Sequence, residues 1–262
     1  MSKETFVRKC KEGHTFTSVL NDYSDTNLLS VEHKFSADDE TRIERIWSEK
    51  ISKGAVMRNE SLVALLPDMT RTEDDILQLS GYATDCKHYI CTKDLPTPEV
   101  WLTGPSAVTR ITGRETTMYI IGERKTKNLN TGGVLEFLPG GFLKMAHLYD
   151  KNPFLSTLEE ELKEETGIEK ECIVDTMPLW YGKLEKFPDG RASRNVVLDY
   201  LMDIEGLTPE QVQERFKSKD REHTHLEFVP EQDLLKYGET NYGRFNTRGL
   251  CTFEQLIARK II

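Results

Sequence analysis

The 262-residue chain lacks a run of about 18 consecutive apolar residues, so its sequence offers no transmembrane helix. Residues 1–20, MSKETFVRKCKEGHTFTSVL, lack both an apolar core segment and a small-residue cleavage site, and no secretory signal is expected. Cysteine is sparse. Cys10, Cys86, Cys91, Cys172 and Cys251 are odd in number and scattered, which argues against a disulfide framework. Cys86 and Cys91 bracket His88, but a zinc site needs two further ligands at sensible spacing, and none is evident. Together these absences point to a reducing, cytoplasmic setting. A basic stripe is also missing. The formal net charge of −9 argues against a protein that binds nucleic acid through its phosphates. Small anionic ligands stay open, because a local cluster or a bound metal ion can override the global field. The expected partner is therefore a small molecule, with no nucleic acid and no membrane. Oligomeric state is not readable.

What is present reads as α+β, in two parts. In residues 1–100, TFTSVL (15–20) and NLLSVEHKF (27–35) have strand character and are linked by the turn residues NDYSDT. Ser36 opens a helix with Ile43, Ile46 and Trp47 at helical spacing. SLVALLPDM (61–69) and DDILQLSGYA (74–83) suit a hairpin, followed by a short helix around TDCKHYI. LPTPEVWLTG (95–104) is rich in proline and turn residues and marks a boundary. In residues 101–262, strands are expected at 106–112, 117–124, 134–141, 195–204 and 223–230. Helices are expected at 153–166, from Thr208, at 230–235 and at 252–261. This mixed order suggests an α/β/α sandwich preceded by a smaller N-terminal α+β domain.

The segment LEEELKEETGI (158–168) carries the chemistry. Pro153 suits a first helical turn, Ser156 with Glu159 offers an alternative capping box, and Gly167 supplies a stop. At about 100° per residue, with Leu158 at zero, Leu162, Leu155 and Phe154 lie within roughly 60°. Glu165 falls at about −20°, Glu161 at about −60° and Glu164 at about −120°, whereas Glu159 and Glu160 look outward. A half-buried carboxylate beside two others is costly unless a cation compensates it, and a hard divalent ion does so. Upstream, LPGG (138–141) ends a strand in a corner where glycine allows close backbone approach.

Strand, Gly-Gly corner, loop and glutamate helix together resemble the Nudix hydrolase family. The second half of its signature runs Arg-Glu-apolar-x-Glu-Glu-x-Gly-apolar. EELKEETGI (160–168) matches it except that Glu160 stands in the arginine position. The loop after Gly141 is about five residues longer than the signature's, and Asp150 is the nearest acid to its upstream glutamate. The resemblance implies Mg²⁺ (or Mn²⁺) held by Glu161, Glu164 and Glu165, with a carbonyl near Gly140 or Gly141. It implies that Arg124, Lys125 and Lys127 face substrate phosphates, and that Glu222, or His223 or His225, serves as general base. More diffusely, the chain is similar to the UDP-glucose/UDP-galactose pyrophosphatase branch. Its spacing Thr84-x-x-Lys87-x-Tyr89-x-x-Thr92 implies that Tyr82, Lys87 and Tyr89 contact uridine or the sugar. The implied reaction is hydrolysis of a diphosphate bridge, giving UMP and a sugar 1-phosphate. Two alternatives stay open. One is another diphosphate substrate, such as ADP-ribose, a dinucleotide polyphosphate or capped RNA. The other is an inactive fold that binds a nucleotide or a protein.

Overall fold

The computed structural model describes residues 2–54, 59–93, 95, 98–113, 116–125, 133–186, 192–217 and 222–262. In chain order these form α1 (Lys3–Gly13), β1 (Phe16–Leu20), β2 (Asp25–Ser30), α2 (Ala37–Ser52), β3 (Ser61–Arg71), β4 (Ile76–Asp85), α3 (Cys86–Thr92), β5 (Trp101–Thr112), β6 (Thr117–Arg124) and β7 (Leu135–Phe137). There follow α4 (Pro153–Thr166), β8 (Ile173–Lys186), β9 (Ala192–Ile204), α5 (Pro209–Lys217), β10 (His223–Pro230), α6 (Glu231–Thr240) and α7 (Thr247–Ala258). The expected α+β class holds. No described helix is long and apolar enough to cross a membrane, and no disulfide joins any of the five cysteines.

The strands form one mixed sheet in the order β1-β8-β9-β5-β3-β4-β2, with β6 paired to β5, β7 and β10. Side chains of a strand alternate between faces. Along β9, Val196, Leu198, Tyr200, Met202 and Ile204 join a core with Leu158 and Leu162 of α4 and Val212 and Phe216 of α5. The intervening Val197 and Leu201 join the opposite core, with Phe6 of α1, Leu234 of α6 and Phe253 of α7. Helices therefore cover both faces, and β5 is buried along most of its length, including its polar Thr103, Ser106 and Thr109.

Two expectations need amendment. Strands β1 and β2 do not pair across NDYSDT: β1 lies antiparallel to β8 and β2 parallel to β4. Helix α1 and strand β8 were not anticipated. The first hundred residues contribute β3, which pairs with β5 at Ala64↔Leu102, and α1, whose Phe6 packs edge-on to Phe253 at 5.5 Å.

Strand β5 positions the site. Along one edge it pairs with β9. Along the other it meets β3 at Trp101–Leu102 and β6 at Arg110–Thr112. The gap between is filled by the Pro-Gly-Gly corner: Ala107 N–H donates to Pro139 O (2.8 Å), Gly141 N–H to Pro105 O (3.2 Å) and Leu143 N–H to Thr103 O (2.9 Å). Helix α4 then begins with Asn152 capping Leu155 N–H and Pro153 in the first turn, and stops at Gly167 with φ +77°.

A pH-sensitive cap sits at the other end of the sheet. Asp85 caps α3 through His88 N–H (2.8 Å) and lies 2.6 Å from His88 Nδ1, while His88 Nε2 lies 3.1 Å from Glu40. Burial pushes the Asp85 carboxyl up, but its bonds to His88 and Asn59 outweigh this and bring it to about 2. The Asp85 bond is the main cause that raises the His88 imidazole above its ordinary value. The His88 contribution is therefore full below about pH 6.5 and lost as pH rises through the elevated folded value; the Asp85 contribution is full above about pH 3.9 and lost as pH falls through about 2. Asp85→Asn keeps a capping side chain but loses the charge facing His88, and is expected to cost up to about 1 kcal/mol. In urea unfolding the gap from wild type is larger at pH 5.5 than at pH 8.5; an equal gap at both would contradict the coupling.

Candidate active site

The glutamates of α4 meet the glycine corner as the helical spacing requires. Glu165 is buried, the Glu161 side chain is 15% exposed and the Glu164 side chain is 58% exposed at the rim. Gly140 N–H donates to Glu165 Oε2 at 3.3 Å. A Cβ at Gly141 would collide with the Glu161 carboxylate, so glycine is what lets helix and corner close together. The Gly141 carbonyl packs against Gly104 of β5. Burial, with Glu136 and then Glu161 nearby, pushes the Glu165 carboxyl well above its ordinary value, against Arg124 and Arg248. Burial likewise raises Glu161 to about 7, with Lys144 opposing and Glu164 and Glu160 adding to the rise.

Opposite this face, β6 delivers Arg124. Its Nε lies 2.6 Å from Glu136 Oε1 and its Nη1 2.6 Å from Glu222 Oε2. Burial alone would lower the Arg124 guanidinium; Glu136, Glu222 and Glu165 outweigh it and hold it above its ordinary value. Glu136 on β7 is the hub. It is 4% exposed, lies 2.7 Å from His223 Nε2 and accepts from Asn246 Nδ2 at 2.9 Å. Burial raises its carboxyl, but His223, Arg124 and Arg248 together bring it below the ordinary value. The acid is thereby kept ionised to hold Arg124 in place.

These groups line one cavity of about 680 Å³. Its centre holds Glu161, Glu164, Glu165 and Gly140–Gly141. Arg124, Glu222, Asn246 and Arg248 of the lining gather around Glu136, whereas Phe142 and Asn195 gather around Tyr89. Of the residues anticipated, Glu161, Glu164, Glu165, Gly141, Arg124 and Glu222 come together there. Lys125 follows Arg124, and its N–H donates to Glu222 O at 2.8 Å, which fixes the Glu222 backbone beside the guanidinium. Lys87 does not line the cavity; it pairs with Glu44 of α2 at 3.0 Å. Nor does Tyr89, whose hydroxyl donates to Ser193 O (2.6 Å) and to the Asn195 carbonyl, thereby orienting a residue that does. Tyr82 is buried beneath α3. His223 is a partner of Glu136. His225 stands with Glu123 and Glu227 in a group whose ligand atoms lie within 4.8 Å of one another, and none of the three lines the cavity. Arg244 pairs with Glu123 at 3.1 Å and Tyr237 donates to Glu227 at 2.7 Å, so that group is already partnered. Lys127 lies outside the described residues.

Glu136, Arg248 and Asn246 were not anticipated. The available signal for Glu136 was a lone acid inside the apolar strand LEFL. The other two arrive from a helix start more than a hundred residues later, and nothing local marks them. Glu160 departs from its outward reading: it lies 2.9 Å from Lys144 Nζ and 2.7 Å from His147 Nε2.

No protein-family model matches the chain, and no curated protein matches it. Among solved structures it is similar to a mutT/nudix family protein from Listeria innocua, at 18% identity over 63% of this chain and 96% of that one, with a TM-score of 0.41. It is also similar to a NUDIX hydrolase from Alicyclobacillus acidocaldarius, at 13% identity over 60% of this chain and 91% of that one, with a TM-score of 0.46. A third is the NUDIX domain of Shewanella oneidensis NrtR, solved with ADP ribose, at 16% identity over 68% of this chain and 99% of that one, with a TM-score of 0.40.

Proposed function

We propose that the cavity hydrolyses the diphosphate bridge of a nucleoside diphosphate-linked compound, and that this compound is UDP-glucose or UDP-galactose, cleaved to UMP and a sugar 1-phosphate. The observation that carries the reading is the meeting of three α4 glutamates, a Gly-Gly corner and Arg124 in one cavity that also holds Phe142 and Asn195. A nucleoside triphosphate has one organic end. A compound with a group on each side of its diphosphate uses both sets of lining residues.

The donor set fits a hard divalent cation. Glu165 is a buried carboxyl that accepts a long backbone bond at 3.3 Å, and the burial and the like charges of Glu136 and Glu161 outweigh Arg124 and Arg248 there, which is the environment such an ion relieves. Glu161, Glu164 and Glu165, with the Gly141 backbone beside them, would hold Mg²⁺ or Mn²⁺. The chemistry such an ion supplies is polarisation of the phosphoryl group, activation of water at neutral pH and neutralisation of developing charge.

The chain's own residues do the rest. Arg124 presents a charged fork to the diphosphate. Of its two partners Glu136 is buried, whereas the Glu222 side chain is 57% exposed. An incoming phosphate therefore displaces Glu222 rather than Glu136. Once released, Glu222 stands at the cavity wall as the proton acceptor for the attacking water. Phe142, 41% exposed, offers a ring to stack on, and Asn195, its carbonyl engaged by Tyr89, offers an amide donor.

A screen tests this. The protein is incubated with UDP-sugars, ADP-ribose, dinucleotide polyphosphates and capped RNA, with and without Mg²⁺, and phosphate is measured after phosphatase coupling. UDP-sugar turnover that needs Mg²⁺ is the expected result. Turnover of another member reassigns the substrate. No turnover, with a nucleotide still raising the melting temperature, identifies a binding module.

A further inference from the structure

The site carries its own cation, and it comes from the lengthened loop. Lys144 Nζ lies 2.9 Å from Glu160 Oε1, 3.6 Å from Glu161 Oε1 and 4.0 Å from Glu164 Oε2. One ammonium thus faces three carboxylates of α4, two of which belong to the set assigned to the divalent ion. The loop is a fixed wall at this point. Lys144 bridges to Leu62 of β3, Val63 N–H donates to Leu143 O at 2.9 Å, and Leu143 and Leu148 are buried on either side. Glu160 is in turn held by His147, whose other nitrogen lies 3.0 Å from Asp150. In the resembled signature a cation stands at the Glu160 position itself. Here the helix position is acidic and the cation is on the loop: the pair is kept and its charges are exchanged.

We infer that Lys144 is a resident counter-cation of the metal centre, tethered by Glu160, which compensates Glu161 and Glu164 until the divalent ion arrives and then withdraws onto Glu160. The inference rests on the reading of Glu161, Glu164 and Glu165 as ligands. The distances support withdrawal: only the Glu160 contact has the length of a direct hydrogen bond, and the other two are looser. A lysine suits this role because its charge is a compact point on a flexible stem, with no planar fork to fix it. Two consequences follow from Coulomb's law alone. Lys144 repels an arriving cation, so its removal tightens metal binding. Glu160 draws Lys144 away, so its removal leaves the ammonium to Glu161 and Glu164 and weakens metal binding. A residue that merely braces the fold predicts weaker binding in both cases.

The test is Mn²⁺ titration of the full chain, followed by electron paramagnetic resonance at constant pH. Lys144→Met is expected to bind Mn²⁺ about tenfold more tightly than wild type and Glu160→Gln about fivefold more weakly, the scale of one screened charge pair. Lys144→Arg keeps the charge and stays within about twofold of wild type. In the Lys144→Met background, Glu160→Gln weakens binding only through the loss of its own charge and therefore by a smaller factor than in wild type, because the tether has nothing left to hold. Mn²⁺ binding by Lys144→Met that is unchanged or weaker overturns the inference, as does an effect of Glu160→Gln that is undiminished without Lys144. Absence of Mn²⁺ binding by wild type overturns both the inference and the ligand assignment. The predicted order of affinities in a protein that hydrolyses nothing overturns the proposed reaction and leaves Lys144 in its role.

Discussion

Glu165→Gln is expected to reduce Mg²⁺-dependent hydrolysis by about 10³-fold, the upper range for removing one preorganised electrostatic group, while leaving the metal-free fold at least as stable as wild type. The two halves of this prediction have one cause. Glu165 is buried beside Glu136 and Glu161, and without a divalent ion its carboxyl is pushed well above the ordinary range. Glutamine fills the same volume and retains a carbonyl to accept from Gly140 N–H, so the metal-free protein loses a costly group and no packing. The metal-bound protein loses an anionic ligand. Thermal scans should therefore show a melting temperature equal to or above wild type without Mg²⁺, and loss of the rise that Mg²⁺ causes in wild type. Glu164→Gln should cost a similar factor in turnover. Its side chain stands at the rim, so it should leave the metal-free melting temperature unchanged. Turnover at the wild-type level in either variant would remove these carboxylates from the mechanism.

Asp199→Ala is expected to be the most damaging single change to stability, about 3–5 kcal/mol. Asp199 on β9 is fully buried. It accepts from Ser106 Oγ of β5 at 2.6 Å, Trp180 Nε1 of β8 at 2.9 Å and Thr252 Oγ1 of α7 at 2.5 Å. One carboxylate thus ties three strands of the sheet to the helix that presents Arg248. Removing it deprives the Ser106 and Thr252 hydroxyls of their acceptor away from water and leaves the Trp180 indole N–H only its longer bond to Thr252 Oγ1 at 3.3 Å, and each weakened or orphaned donor carries a desolvation penalty. A loss of this size lowers the melting temperature by about 10 °C in a chain of this length. Asp199→Asn separates charge and geometry from volume. The amide is isosteric: with its oxygen toward Trp180 and Thr252, its NH₂ can donate to the Ser106 hydroxyl, so it should lose clearly less than the alanine variant. A shift within about 2 °C for both variants would show that the network contributes little.

How much of this was legible in the sequence depends on how local the causes are. Helix α4 was, because its first-turn proline, glutamate spacing and terminal glycine all lie close together in the chain, although its cap is Asn152 and not the Ser156 that the sequence offered. The strand ending in Arg124 and the hairpin β3–β4 were readable for the same reason. Helix α1 was not, because only Phe6 and Cys10 in it are buried and the rest, apart from Val7 and Gly13, is charged or polar. Strand β8 hides behind Pro178 and Gly182, which are breaker residues although the strand tolerates Pro178 with a shift in register and Gly182 without one. Turn chemistry suggested that β1 and β2 were neighbours, but pairing partners are chosen by the whole sheet, and NDYSDT carries no information about β8 or β4. In the site, the α4 carboxylates announced themselves as a cluster. Glu136 and Arg248 did not, because they acquire their meaning from partners far along the chain, and Lys144 did not, because it lies in an irregular loop with no periodicity to aim it at α4.

The most direct measurement is ³¹P nuclear magnetic resonance of UDP-glucose incubated with the protein and Mg²⁺. The diphosphate signals should disappear as two phosphomonoester signals, of UMP and glucose 1-phosphate, grow in equal amounts, and none of this should occur with Glu164→Gln. Unchanged diphosphate signals, or UDP and free glucose as the products, would contradict the proposed cleavage of the P–O–P bridge.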